Sequence, residues 1–226
     1  MQLLTQNSDL KKTGIYGWTL PAHNITLSNG AKFNTCPNAG VCGAFCYAKN
    51  GTYNFPAVKK AHLQKLELVL YSPDVFECMM VEELKKPKYN GKYIRIHDAG
   101  DFFSYEYALI WLRIADRYPN ITFYTYTKEV LLFKHQLVGR IPANFITIYS
   151  FGGKQDCYID RDTDRHSDVF MDYEQMIAEG YNDIGEDDKQ SAIHPNHKVG
   201  LFRNNIPAYI KKMKQSKFSD YGKSQS

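Results

Sequence analysis

The stretch "IRIHDAGDFFSYEYALIWLRIADRYPNITFYTYTK" (residues 94–128) decides the architecture. Tyr93, Ile94 and Ile96 open it as a strand, and "DAGD" supplies turn residues at the strand's end. Ser104 is placed to cap a helix on which Tyr107, Ile110, Trp111, Ile114, Ala115 and Tyr118 fall on one apolar stripe. "NITFYTYTK", rich in β-branched and aromatic residues, reads as the next strand. A strand, one helix and a second strand imply parallel pairing through a right-handed crossover.

Working outward, "EVLLFKHQLVGRIP" reads as a helix ended by Gly139 and Pro142, and "NFITIYSFGG" as a further strand closed by glycines. Upstream, Asn54 is suited to cap a helix with Pro56 in its first turn and Leu63, Leu66 and Leu70 on one face. Pro73 breaks that run into two helices, the second extending to about Lys86. Beyond Gly153 the pattern weakens to an acidic irregular region, a short helix near Val169–Glu179, a strand "HKVGLFRN" and a basic terminal helix from about Pro207. The fold class is α/β, as a doubly wound sheet or a partial (β/α) barrel with parallel strands. In either form functional groups collect on loops at the C-terminal strand ends. That rule selects the cysteine loop, "HDAGD", "TYTKE" and "YSFGG". One domain over 1–226 is expected, with its core at 35–153 and a C-terminal elaboration at 154–226.

Of the 226 residues 43% are hydrophobic, enough for a substantial core, yet no run of about 18 apolar residues exists to span a membrane. The start, "MQLLTQNSDLKK", lacks the charge and apolar pattern of a secretory signal, which points to the cytoplasm and reduced thiols. Net charge is +4 but uneven: twelve acids face three bases from Asp156 to Lys189, and seven Lys or Arg face one acid from Lys198 to Ser226. A basic tail suits contact with nucleic acid or another polyanion, and equally a solvated helix face.

Cys36, Cys42 and Cys46 lie in "NTCPNAGVCGAFCYAKNG" as Cys-x5-Cys-x3-Cys. Structural zinc wants four ligands in closer pairs, and no second pair follows. Three thiolates better suit an iron–sulfur cluster with one open iron. Pro37, Gly40 and Gly43 let the loop bend, and Val41, Ala44, Phe45 and Tyr47 are available to shield it. Zinc closed by Cys78 or Cys157, and plain reduced thiols, remain alternatives. His97, Asp98 and Asp101 form a polar group at a strand end, with Arg95 on the same strand face as His97; a hydrogen-bonded turn explains them as well. Thr125, Thr127 and Lys128, then Ser150, Gly152 and Gly153, are ligand-contact candidates or ordinary strand and turn residues. His194 and His197 have His-x2-His spacing, for which exposed loop histidines are the default.

The segments "TCPNAGVCGAFCYAKNGTY", residues 94–128 and "IPANFITIYSFGG" together resemble the phage "gene product 88" family, itself similar to radical S-adenosylmethionine (SAM) enzymes. The resemblance implies that Cys36, Cys42 and Cys46 bind a [4Fe–4S] cluster whose fourth iron takes SAM. It implies that Tyr47 flanks the cluster, that Gly100 and Asp101 meet the SAM amino group, and that His97, Thr127, Lys128 and Ser150 line the same mouth. The partial barrel is then the favoured form, with the cysteine loop at its C-terminal mouth. The cysteine gaps are longer than the usual Cys-x3-Cys-x2-Cys of those enzymes. The implied function is a phage-encoded iron–sulfur protein generating a 5′-deoxyadenosyl radical in the host cytoplasm. The competing class is a non-enzymatic, metal-stabilised regulatory module that meets nucleic acid or a host protein through its basic tail.

Overall fold

In a computed structural model, which describes residues 1–185 and 187–222, the chain forms one large parallel sheet with helices against it. In chain order the first elements are α1 (Ser8–Thr13), β1 (Tyr16–Trp18), β2 (Asn24–Thr26), β3 (Lys32–Asn34) and α2 (Val41–Ala44). Then come α3 (Pro56–Tyr71), α4 (Pro73–Leu84), β4 (Tyr93–Ile96), α5 (Tyr105–Arg117), β5 (Thr122–Thr127) and β6 (Phe145–Ser150). The last are β7 (His166–Phe170), α6 (Tyr173–Ala178), β8 (Asn182–Asp183), α7 (Gln190–Ile193), β9 (Lys198–Phe202), α8 (Pro207–Ile210) and α9 (Ser219–Gly222).

Seven strands pair in the order β1-β4-β5-β6-β7-β9-β8, every neighbour parallel. The α/β class and parallel pairing match the sequence reading. No pairing among the described residues joins β1 to β8, so the sheet is not closed into a barrel. Strands β2 and β3 make a separate antiparallel hairpin just before the cysteine loop.

Helix α5 forms where its signals put it. The Ser104 hydroxyl accepts from the Tyr107 N–H at 3.1 Å, satisfying one of the orphan donors of the first turn. Tyr107, Ile110, Trp111, Ile114 and Ala115 are buried against the sheet, while Tyr118 follows as the C-cap. Side chains alternate across a strand, so the two faces of β5 have different fates. Phe123 joins the helix-side core with Trp18, Phe76 and Trp111, whose rings pack at centroid distances of 4.8–5.8 Å. Tyr124 lies in a smaller core on the opposite face with Ile148, Ala192 and Val199.

Pro73 does divide two helices, although α3 is capped by Phe55 without a side-chain bond and α4 ends at Leu84. The helix expected in "EVLLFKHQLVGRIP" forms but is short: Val130 and Leu131 are α-helical and continue into a π-type turn, Leu132–Gln136, that ends before Gly139. Two expectations fail. Val169 belongs to β7, and the helix there spans only Tyr173–Ala178, capped by the Asp172 side chain. The basic terminal helix is reduced to the single turn of α8.

Candidate functional site

The loops at the C-terminal ends of β4, β5 and β6 meet the cysteine loop. The His97 and Asp98 N–H groups both donate to the Trp18 carbonyl, at 2.8 and 3.2 Å, which turns the chain away from the sheet. His97 adopts φ 65°, a left-handed conformation uncommon outside glycine. Its imidazole is buried on the helix side, with Nε2 2.8 Å from the Tyr107 hydroxyl. That oxygen already accepts from Trp18 Nε1 at 2.8 Å, so its own proton is directed to His97 Nε2. His97 Nδ1 then carries the other proton and has no partner. Burial pulls this histidine down to about 3, and the ring is neutral. Gly100 follows with φ +85°; a Cβ there would stand 2.8 Å from Leu20 Cβ, so the turn needs glycine.

Asp101 is buried and fully engaged. One carboxylate oxygen accepts from the Phe102 N–H at 2.8 Å and the Thr127 hydroxyl at 2.6 Å; the other accepts from the Lys128 N–H at 2.8 Å. The Lys128 ammonium donates to the Ser150 carbonyl, the Ser150 hydroxyl and the Phe151 carbonyl at 2.6–2.7 Å, which uses all three of its protons. Beside them Glu129 accepts from the backbone and side-chain nitrogens of Asn38. Burial raises both carboxylates above their ordinary range, and the Asp101 charge raises Glu129 further.

These bonds clamp the cysteine loop onto the strand ends. The Gly40 and Cys42 N–H groups both donate to the Gly152 carbonyl at 3.1 Å, the Asp101 N–H donates to the Thr35 carbonyl at 3.0 Å, and Lys154 donates to the Asn38 and Pro37 carbonyls. His97, Gly100, Asp101, Thr127, Lys128 and Ser150 are thus gathered in one region, and their polar groups are paired chiefly with one another. Tyr47 lies at the edge: its residue is 40% exposed and its hydroxyl donates to the Asp98 carbonyl.

Above the clamp runs the C-terminal segment. The Tyr209 hydroxyl donates to the Cys46 carbonyl at 3.0 Å and accepts from Asn50 Nδ2 at 2.7 Å. The Phe45 ring packs against Tyr209, Phe218 and Tyr221 at 5.7–6.2 Å. The Ser219 N–H donates to the buried Asp168 carboxylate at 3.1 Å, anchoring the segment to β7. The exposed Lys211, Lys212 and Lys214 follow Tyr209 directly in the chain, whose hydroxyl sits on Cys46 and Asn50, whereas Lys217 is buried and ion-paired with Glu179.

The thiols do not assemble a metal centre. All five cysteines are free, with Cys78 and Cys157 exposed and remote in sequence from the loop. Burial, then the Asp101 charge, pushes the Cys36 thiol up to about 12; burial, then Cys42, raises Cys46. Among the described residues no group of three or more His, Cys, Asp or Glu side chains is placed to hold a metal ion. His194 and His197 do not form a pair either: His194 Nδ1 accepts from the Asn196 N–H, and His197 Nε2 faces the Arg161 carbonyl.

A profile of the "Gene product 88" family matches residues 1–220. The chain belongs to the gene product 88 family. The Gene 88 protein of Mycobacterium phage L5 is 34% identical over 116 residues, 47% of this chain and 48% of its own length. That of Mycobacterium phage D29 is 33% identical over the same extent. This gene product 88 chain spans about half the length (48%) of the curated relatives it matches. No solved structure matches. The phage association expected from the sequence therefore holds, and no helix of the described residues is long and apolar enough to cross a membrane.

The radical SAM reading does not survive, nor does its metal-stabilised alternative. The family matched is gene product 88, with no radical SAM family beside it, and Cys36, Cys42 and Cys46 are not gathered into a metal-holding group. No step of radical chemistry is derived for this protein.

One signal passed unread in the sequence. Between Asp9 and Glu67 the chain contains no acidic residue and seven lysines: Lys11, Lys12, Lys32, Lys49, Lys59, Lys60 and Lys65. Such a gap in a chain with 24 acids marks a surface of one sign.

Proposed function

We propose that this protein binds nucleic acid inside the infected host cell, through a basic face built from the acid-free segment and the C-terminal segment. The carrying observation is the seating of Tyr209 on Cys46 and Asn50, which brings two basic stretches that are far apart in sequence alongside each other. On these two stretches Lys49, Lys59, Lys60, Lys211, Lys212 and Lys214 are exposed, and none makes an ion pair among the described residues. The Lys49 ammonium donates to the Gly43 carbonyl at 2.6 Å and faces His23 Nδ1 at 3.5 Å. Two large aromatics on the same stretch, Tyr47 at 40% and Phe55 at 58% exposure, offer ring faces for stacking on unpaired bases.

The strand-end cluster supports a different role. Apart from His97 Nδ1, its side-chain donors and acceptors are engaged within the strand ends or, through Glu129, on Asn38 of the cysteine loop, so it acts as the scaffold of the basic face. Phosphate contacts by lysines release counterions and supply sequence-independent affinity, which fits a surface with many point charges and no arginine fork. Fluorescence anisotropy of a labelled single-stranded oligonucleotide tests the reading. The full chain is expected to bind at low salt, and the triple substitution Lys211→Glu, Lys212→Glu, Lys214→Glu is expected to abolish binding while leaving the circular dichroism spectrum unchanged. Equal binding by both proteins would refute it.

A further inference from the structure

The sheet face opposite α5 carries a second polar cluster unrelated to the clamp. Arg95, on β4, is largely buried, its side chain 19% exposed. Its Nη1 donates to one Asp188 carboxylate oxygen at 3.0 Å. The Tyr124 hydroxyl donates to that same oxygen at 2.6 Å, and the Tyr126 hydroxyl to the other at 3.1 Å. The guanidinium carbon also lies 5.0 Å from the Tyr126 ring centroid. Three donors on two adjacent, paired strands therefore converge on one carboxylate. The carboxylate itself comes from the connection between β8 and α7, far along the chain.

Two features separate this from an ordinary ion pair. First, the guanidinium is underused: only Nη1 reaches Asp188, Asp98 stands further off at 3.6 Å, and the buried Nε has no partner. An arginine that is closed by its natural partner usually presents two parallel N–H groups to a carboxylate. Second, the donors belong to the sheet, whose geometry is fixed by pairing on both sides, whereas the acceptor is carried by a connection outside it. The neighbouring Asp98 is already committed, accepting from the Tyr53 hydroxyl at 2.6 Å.

We infer that Arg95, Tyr124 and Tyr126 form a receptor for the carboxylate of a small organic acid, and that Asp188 is its internal occupant. A free carboxylate in the place of that of Asp188 would meet the same three donors, Arg95 Nη1 and the Tyr124 and Tyr126 hydroxyls. The internal carboxylate lowers the apparent affinity for an external one by the fraction of molecules in which Asp188 has left. Removing it should reveal the site.

Acetate and inorganic phosphate, each titrated into the full chain at constant ionic strength, provide the test, read by thermal melting and by calorimetry. Asp188→Ala is expected to melt below the parent, to regain stability in acetate, and to bind acetate at least about tenfold more tightly than the parent does. The double variant Arg95→Met, Asp188→Ala is expected to show no response. Recovery in phosphate but not in acetate would overturn the carboxylate assignment, and a folded Asp188→Ala that responds to neither anion would overturn the receptor. Should the alanine variant fail to fold, Asp188→Asn keeps the shape and loses the charge. Acetate affinity no better than the parent's in that variant would likewise overturn the inference.

Discussion

His97 gives the sharpest thermodynamic prediction. Its ring sits 4.5 Å from that of Phe102, its Nε2 accepts from Tyr107, and its buried Nδ1 has no partner. Nothing nearby compensates a positive charge, and burial lowers it from its ordinary 6.5 to about 3. In the unfolded chain the same residue takes up a proton below pH 6.5, so acid favours unfolding; stability is lost as pH falls below 6.5 and continues to be lost to about 3. At pH 5 the loss from this one group is about 2 kcal/mol, 1.5 pH units at about 1.36 kcal/mol each. His97→Asn removes the titration and tolerates the left-handed backbone. Urea unfolding of parent and variant at pH 7.5 and 5.0 measures the difference between them, in which contributions from His23, His62 and His166, also lowered by burial, cancel. The variant is less stable at pH 7.5 because the ring packing is lost, and the gap should narrow by about 2 kcal/mol at pH 5. A gap that stays constant or widens would refute a neutral, uncompensated His97.

The C-terminal segment and the thiols make independent predictions. Gly152 has φ +97°, and a Cβ there would lie 2.8 Å from Phe218 and 3.2 Å from Val41, so Gly152→Ala should cost roughly 1–3 kcal/mol. Phe218→Ala should cost less in the Gly152→Ala background than in the parent, as chemical denaturation of the four proteins would show; strict additivity would mean that the two do not touch. Native-state alkylation followed by mass spectrometry should label the exposed Cys78 and Cys157 first and Cys36 last, its thiol held up near 12 by burial. Early labelling of Cys36 would contradict the clamped loop.

The middle of the chain was legible because its signals agree across levels. Ser104 caps, the α5 stripe has helical period, and "TFYTYT" has strand chemistry, so propensity and burial point one way. The segment after β5 is helical as its apolar spacing suggests, but short: Val130 and Leu131 lead into the π-type turn Leu132–Gln136, which buries Leu132 and Phe133 before the chain leaves toward β6. Strand β1 was invisible because three residues around a glycine carry no period, and its membership in the sheet rests on pairing with β4. The loops chosen by the strand-end rule do come together. Their chemistry was not readable, since only the bonding of Asp101, Lys128 and Glu129 reveals that these groups are turned inward on one another. The cysteine spacing suggested a ligand set, yet spacing along a chain does not fix where thiols point. Asp188 was counted among acids of an irregular region, although its oxygens serve Arg95, Tyr124 and Tyr126 across the sheet.

The salt dependence of oligonucleotide binding bears most directly on the basic face. If six exposed lysines contact phosphates, the logarithm of affinity falls against the logarithm of salt with a slope of about −4, roughly a 300-fold loss between 50 and 200 mM. Neutralising Lys211, Lys212 and Lys214 with alanine should halve that slope to about −2. A slope near zero, or one that the three substitutions leave untouched, would contradict the account.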